Sequence, residues 1–450
     1  MTDDQNIILV SWDSVRADHL HIYGYERNTA PRLSEIAADG LLFEDVQVPA
    51  VGTPASFTGM FTGEHGSGSM EEPNPKHWQK ANEDRVMLPE LLSEEGYYTG
   101  GFHYNALMSG HFGWNRGWDE YEDHLWVEDN DTESGWRSKL YDTLDELGVA
   151  NFVVDLKRTV QGELPARWEA MWDDIREFID TAPEPFFLWI LLIDTHHPWY
   201  APPEYHEWNQ PGVRTTYALN YAMRRYRNLV GERRPSIVNA YDNTIRYADE
   251  FVRQLETELE ESGYDEAPLI IHSDHGDELG EHGNYGHRPL MYDTVTRVPL
   301  VMKNVGETGR ILGPTTLLDL GSTILDLAGS DRRIANRPSL LGEERMDRDY
   351  VTVQNILDSD RRTAAAVGEE WKVLYHPEGD WGAKSFPEGS WEAYYRPDDP
   401  LERENRWGEH PEFLEEALRG QLSGEVAAVD GDDEMTQETR ERLRELGYIE

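Results

Sequence analysis

Carboxylates and imidazoles crowd one stretch of the chain, Ser273-Asp274-His275-Gly276-Asp277-Glu278-Leu279-Gly280-Glu281-His282-Gly283, which closes on Gly286-His287. Ionised carboxylates offer hard oxygen to a divalent cation, neutral imidazoles offer nitrogen, and an imidazole also exchanges protons near neutral pH. That combination suits a metal site with an acid beside it. Ahead of it, Pro268-Leu-Ile-Ile271 reads as a buried strand. Asp274 and His275 are then expected at a strand's carboxyl end, where open α/β sheets collect ligands, with the glycines letting the loop bend back. A solvated polar loop with a capping Asp is the plainer alternative.

The elements that must complete such a site lie far upstream. Asn6-Ile-Ile-Leu-Val-Ser-Trp12 reads as a second buried strand, and it ends on Asp13-Ser14-Val15-Arg16. A site gathering Asp13, Asp274 and neutral His275 would have mixed oxygen and nitrogen ligands, which suits calcium, magnesium, manganese or zinc. Alone, Asp13 reads equally well as a helix N-cap. Pro49 to Gly63 is a small-residue turn that opens a short helix and stops on glycine; Pro54 fits its first turn and Thr53 the N-cap. A hydroxyl there faces free backbone N–H groups and the positive end of the helix dipole, an arrangement that binds tetrahedral oxyanions, although a plain capping Thr explains the same residues.

Together these segments resemble the sulfatase family of the alkaline phosphatase superfamily, along nearly the whole chain. The resemblance runs through Asp13-Ser14-Val-Arg16-Ala-Asp18-His19-Leu20, Thr29-Ala-Pro31-Arg-Leu33, the Thr62-Gly63 end of the small-residue helix and Asp194-Thr-His196-His197-Pro198. It continues through Ser273-Asp274-His275-Gly276, Arg297-Val-Pro-Leu300, Asp319 to Leu325, and the tail Leu443 to Tyr448. It implies an α/β fold, an alkaline-phosphatase-like α/β/α sandwich with a smaller C-terminal antiparallel-sheet subdomain. The division is expected as 1–346 for the catalytic domain and 347–450 for the subdomain. In the latter, Tyr350–Val353, Arg362–Val367, Trp371–Tyr375 and Trp391–Tyr395 read as short strands and Glu434–Leu446 as a closing helix.

The departure from the family pattern bears on the chemistry. Sulfatases of this family oxidise a Cys or Ser to formylglycine in a Cys/Ser-x-Pro-x-Arg motif, and this chain has no cysteine. Thr53 falls at the nucleophile position, Pro54 one residue early, and Phe57 where the family has Arg. Threonine cannot give the formylglycine gem-diol, while Thr nucleophiles occur in relatives acting on phosphodiesters or transferring phosphoglycerol. The resemblance therefore implies a metal-dependent ester hydrolase, phosphodiesterase chemistry ahead of sulfate. A phosphoglycerol or headgroup transferase and a non-catalytic metal-containing anion binder are the alternatives. Asp13, Asp274 and His275 would hold one divalent cation, with Ser14 as a possible further ligand. His287 matches the family's leaving-group acid, and His197 would bind an ester oxygen or share that role, with His196 able to replace it. Arg16 and His282 are candidates for substrate contact, or for holding the metal loop. Loops Trp114–Trp126 and Pro198–Tyr205 would meet the leaving group or form core edges.

Composition sets the surroundings. A formal charge of −46, from 87 acidic and 41 basic residues, exceeds what solubility in dilute buffer asks of a folded domain. It fits a halophilic protein, because at about 1 M salt the Debye length falls to roughly 3 Å and the self-repulsion is screened. Dispersed acids among 15 Trp and 22 Tyr argue against a disordered acidic tail. No basic stripe invites nucleic acid. The N-terminal residues carry no basic signal region, and no apolar run is long enough for a membrane span, so a cytoplasmic enzyme of a small-molecule, glycan or lipid-headgroup ester is expected. The oligomeric state is not legible.

Overall fold

The computed structural model describes residues 5–66, 83–123, 167–225, 233–345, 347–357, 361–387 and 389–423. The expected closing helix, the 443–448 tail and Trp126 lie outside them. Period-two alternation makes the central sheet two-faced. In β1 (Ile7–Trp12), Ile7 and Leu9 enter one apolar layer while Ile8, Val10 and Trp12 enter the other. β5 (Phe186–Leu192) and β6 (Leu269–Ser273), paired to β1 on either side, are likewise buried on both faces, as near-continuous apolar runs dictate in parallel strands.

The remaining strands of this nine-stranded sheet are β2 (Leu41–Gln47), β3 (Tyr98–His103), β4 (Glu120–Glu122), β9 (Arg297–Val298), β10 (Leu300–Lys303) and β11 (Gly309–Thr316); the short β7 (Glu278–Leu279) and β8 (Tyr285–Gly286) pair with each other in a sheet of their own, after β6. The order of the large sheet is β11-β2-β10-β6-β1-β5-β3-β4, with β9 beside β2. Within it only β10 and β9 run antiparallel to their neighbours, so β6, β1, β5, β3 and β2 all point the same way. One apolar layer takes in helix Thr53–Thr62, helix Leu88–Glu94 and helix Leu320–Leu327. The other holds helices Pro31–Asp39, Trp172–Thr181 and Arg234–Glu261. The architecture is thus an α/β/α sandwich.

A second sheet follows, antiparallel in the order β12 (Tyr350–Ile356), β13 (Arg362–Gly368), β14 (Trp371–His376), β17 (Ser390–Tyr395). Helix Glu412–Ser423 packs Leu414 and Leu418 on it. Four of the strands read from sequence appear within a few residues of their expected bounds. The hairpin β15 (Gly379–Trp381) and β16 (Lys384–Phe386) was not expected, because three-residue strands carry too little alternation to register. Val351, Val353 and Leu374 join the same apolar layer as the first sheet, so the C-terminal region shares its core with the sandwich.

Candidate active site

Five co-directed strands deliver the site from one edge of the sheet. The pairing Trp12↔Ser273 brings Asp13 level with Asp274, one residue beyond the last paired positions. The Asp274 amide donates to the Trp12 carbonyl at 3.2 Å, and the Asp13 amide to Leu192 at 2.9 Å. Ser273 Oγ accepts the Val15 amide at 2.7 Å, and Thr195 Oγ1 donates to the Asp13 carbonyl at 2.6 Å. These bonds fix three loop starts to one another. Gly276 permits the next step: a Cβ there would sit 2.3 Å from the Thr294 carbonyl.

Thr53 arrives from beyond β2. The helix cap differs from the sequence expectation: Gly52, at φ 96°, is the N-cap and Thr53 already occupies the first helical position. Glycine's access to positive φ lets the turn close one residue early. Thr53 Oγ1 lies 3.4 Å from His275 Nε2, and one helical turn on, Ser56 Oγ donates to the Asp274 carbonyl at 2.7 Å. Phe57 is fully buried, with its ring 4.9 Å from Trp189 and 5.3 Å from Phe61. The position where the family carries Arg is therefore part of the apolar layer here.

Asp13, Asp274 and His275 are completely buried and have oxygen and nitrogen atoms close enough to share a cation. The Nδ1–H of His275 is assigned to the Gly276 carbonyl at 3.0 Å, which leaves the lone pair on Nε2. That lone pair faces Asp13 Oδ1 at 3.7 Å and Asp274 Oδ2 at 3.6 Å. Asp274 Oδ2 is buried and makes no hydrogen bond. Lone pairs facing one another in a dry site repel, and a divalent cation among them reverses the sign, so the donor set fits a metal. Burial, then the Asp13 charge, push the Asp274 carboxyl well above its ordinary range. Burial, then His287, lower His275 to about 4, so it stays neutral as a ligand must. Ser14 adopts φ 67°; its amide donates to Asp274 Oδ1 at 3.1 Å and its hydroxyl to Asp13 Oδ1 at 2.8 Å.

The imidazoles form a second corner. His196 stacks on His197 at 4.1 Å between centroids, and His287 lies 5.4 and 5.8 Å from these rings and 4.3 Å from His275. Asp277 lies between two of them, with Oδ1 2.8 Å from His287 Nδ1 and Oδ2 3.5 Å from His197 Nδ1. Burial pushes the Asp277 carboxyl up, but His287 and His197 outweigh it and hold the group well below the usual carboxylate range. Burial lowers His196.

Two candidates point elsewhere. The Arg16 guanidinium is engaged by both Asp18 oxygens, by Glu281 at 2.9 Å and by the Asp277 carbonyl at 3.1 Å, contacts that run to the metal loop. His282 bonds Glu278 and the Leu401 carbonyl and stacks on Tyr292 at 3.8 Å, tying the loop to the C-terminal region. Trp114 and Trp199 belong to the two apolar layers. Two residues escaped the sequence reading. Asn105 donates from Nδ2 to Asp13 Oδ2 at 3.2 Å from beyond β3, with nothing in its neighbourhood to mark it. Asp277 had a signal, two residues past His275 in the same acidic loop.

The sulfatase family model matches residues 5–330. The chain belongs to the sulfatase family. It is similar to the uncharacterized sulfatase YidJ of Escherichia coli (strain K12), 24% identical over 358 residues that cover 73% of this chain and 68% of that one. A shorter stretch of 92 residues is 38% identical to the choline-sulfatase of Rhizobium meliloti, covering 20% of this chain and 18% of that enzyme. Among solved structures, the phosphonate monoester hydrolase of Agrobacterium radiobacter aligns with a TM-score of 0.66 at 15% identity, over 93% of this chain and 96% of that one. The complex of BT4656 with its substrate D-glucosamine-2-N,6-O-disulfate aligns with a TM-score of 0.65 at 16% identity, over 99% and 98%. Among the described residues no helix of this sulfatase-family chain is long and apolar enough to cross a membrane.

Proposed function

We propose that this sulfatase-family chain hydrolyses phosphate esters, phosphodiesters first, with Thr53 as nucleophile. The observation that carries the reading is the Thr53 hydroxyl at the start of a buried helix, 3.4 Å from His275 Nε2 and beside the Asp13–Asp274 pair, in a chain with no cysteine. The phosphonate monoester hydrolase among its structural neighbours supports phosphorus chemistry on this scaffold.

Asp13, Asp274 and His275 would hold one divalent cation, whose charge supplies acidity to the Thr53 hydroxyl and neutralises the transferring centre. Thr53 Oγ1 attacks phosphorus and gives up its proton to solvent; the ester P–O bond breaks, and the departing oxygen takes a proton from His287. Water, deprotonated by the same imidazole, then attacks the phosphothreonine phosphorus; the P–Oγ1 bond breaks, and Thr53 takes a proton back from solvent. His197 and His196 bind non-bridging oxygens in place of the Arg that Phe57 replaces. Ser14 orients Asp13 and Asp274 through its hydroxyl and amide. The acid-rich composition extends the reading to a salt-rich cytoplasm.

The deciding experiment compares wild type and Thr53→Ala in concentrated KCl with added divalent metal, on matched aryl phosphodiester, phosphomonoester and sulfate esters. Metal-dependent phosphoester turnover lost in the variant is the expected result. Sulfate turnover that survives the substitution overturns the nucleophile, and binding of the esters without turnover by wild type favours an anion-binding relative.

A further inference from the structure

Asp277 is completely buried, yet the ester chemistry gives it no task. Its position is held from three sides. The Arg16 guanidinium takes its carbonyl at 3.1 Å, Gly276 before it is packed too tightly to accept a side chain, and Oδ1 binds His287 Nδ1 at 2.8 Å. The second oxygen is 3.5 Å from His197 Nδ1. One carboxylate thus serves two imidazoles that reach it from unrelated parts of the chain, His197 from beyond β5 and His287 from the far end of the metal loop. The third ring follows the same rule, with His196 Nδ1 donating to the His197 carbonyl at 2.7 Å. Fixing Nδ1 by a hydrogen bond leaves the His287 and His196 rings to work through Nε2 and sets their planes, while the carboxylate charge draws His197 Nδ1 to its own side.

We propose that Asp277 is the positioning residue of the imidazole corner: it holds His287 by a hydrogen bond to Nδ1 and keeps His197 Nδ1 at ion-pair distance, so that one Nε2 meets the departing ester oxygen and the other a non-bridging oxygen of the same group. The assignment rests on the reading of His287 as the leaving-group donor. The proton that reaches the departing oxygen comes from His287 Nε2; Asp277 keeps its hydrogen bond to the Nδ1 proton throughout and takes up none. A carboxylate that orients an imidazole without sharing its proton supplies orders of magnitude in other acid–base sites. The competing role is as a cation ligand, since His275, Asp277 and His287 also lie close enough to share an ion.

The test uses the full chain with Asp277→Asn, which keeps the shape and one acceptor, and Asp277→Ala, which removes both. Three readouts are taken: Mn2+ affinity by calorimetry, 15N-imidazole NMR of His-labelled protein, and turnover of aryl phosphodiesters with leaving groups of graded acidity. The expected result is Mn2+ affinity within about threefold of wild type and altered Nδ1 signals for two histidines in the Ala variant. Esters with poor leaving groups should lose about 100-fold in rate and those with good ones far less, with the Asn variant in between. Loss of Mn2+ binding overturns the proposal in favour of a ligand role, as does an equal loss across leaving groups or unchanged imidazole signals. If wild type turns over none of the esters, the ester reading fails instead, and the NMR and calorimetric results still decide what Asp277 holds.

Discussion

The two corners of the site are built differently. Asp13, Asp274 and His275 sit one or two residues past the last paired positions of β1 and β6, sealed from solvent and braced by backbone bonds. His196, His197 and His287 ride on longer loops and are half-buried; Asp277 contacts His287 and His197, and the His197 carbonyl takes His196. The contrast teaches a division of labour. Charge is bound best where water is excluded and the donors cannot move, because a dry, preorganised site does not have to reorganise. Proton exchange needs a route to solvent and a ring whose surroundings can accept either charge state.

Substitutions can break that contrast, beginning with the sealed corner. Asp274→Asn is expected to lose metal binding and turnover together, by at least about a thousand-fold in rate, read by metal analysis of the purified protein beside the ester assay. Metal retained at wild-type stoichiometry would sink the ligand assignment. In the half-buried corner, His287→Ala is expected to keep the metal and slow only esters with poor leaving groups, by about 100-fold, so a plot of rate against leaving-group acidity should steepen. A uniform loss would merge the two corners into one.

The smallest effect sharpens the contrast through the C-terminal region. Glu392 accepts from Tyr292 at 2.7 Å, and Tyr292 stacks on His282 of the loop that leads to His287. Burial raises the Glu392 carboxyl, but His376 and Lys384 outweigh it and leave it at about 2. A carboxylate depressed in the folded state contributes stability that is fully present above its unfolded value of about 4.3 and is lost as pH falls through about 2. Glu392→Gln should therefore cost about 3 kcal/mol at neutral pH and only a small fraction of that at pH 2, measured by urea unfolding at both. A penalty that does not change with pH would remove the charge from the explanation.

Much of this was legible residue by residue. Leu269–Ser273 and Ile7–Trp12 announced themselves as buried strands, and the strands of the second sheet fell where β-branched and aromatic runs predicted them. Thr53, Asp13, Asp274, His275, His197 and His287 do come together at one strand edge. Arg16 was legible as a candidate either for substrate contact or for holding the metal loop; which carboxylates it meets, Asp18 and Glu281, depends on where the loop returns. Asn105 was invisible, since an Asn after a strand is an ordinary cap until β3 is known to lie beside β5.

The sequence by itself determined the side-chain chemistry, the alternation that makes each strand, and the absence of a cysteine nucleophile. These are local properties, fixed by residue type and by neighbours a few positions away. Tertiary structure alone decided that β1 lies between β5 and β6 in a parallel register that levels Asp13 with Asp274, that Phe57 turns into the apolar layer, and that one carboxylate, Asp277, meets two imidazoles from distant loops. The physical reason is that convergence is set by long-range strand pairing and by which face each helix buries, and a single side chain carries no record of either.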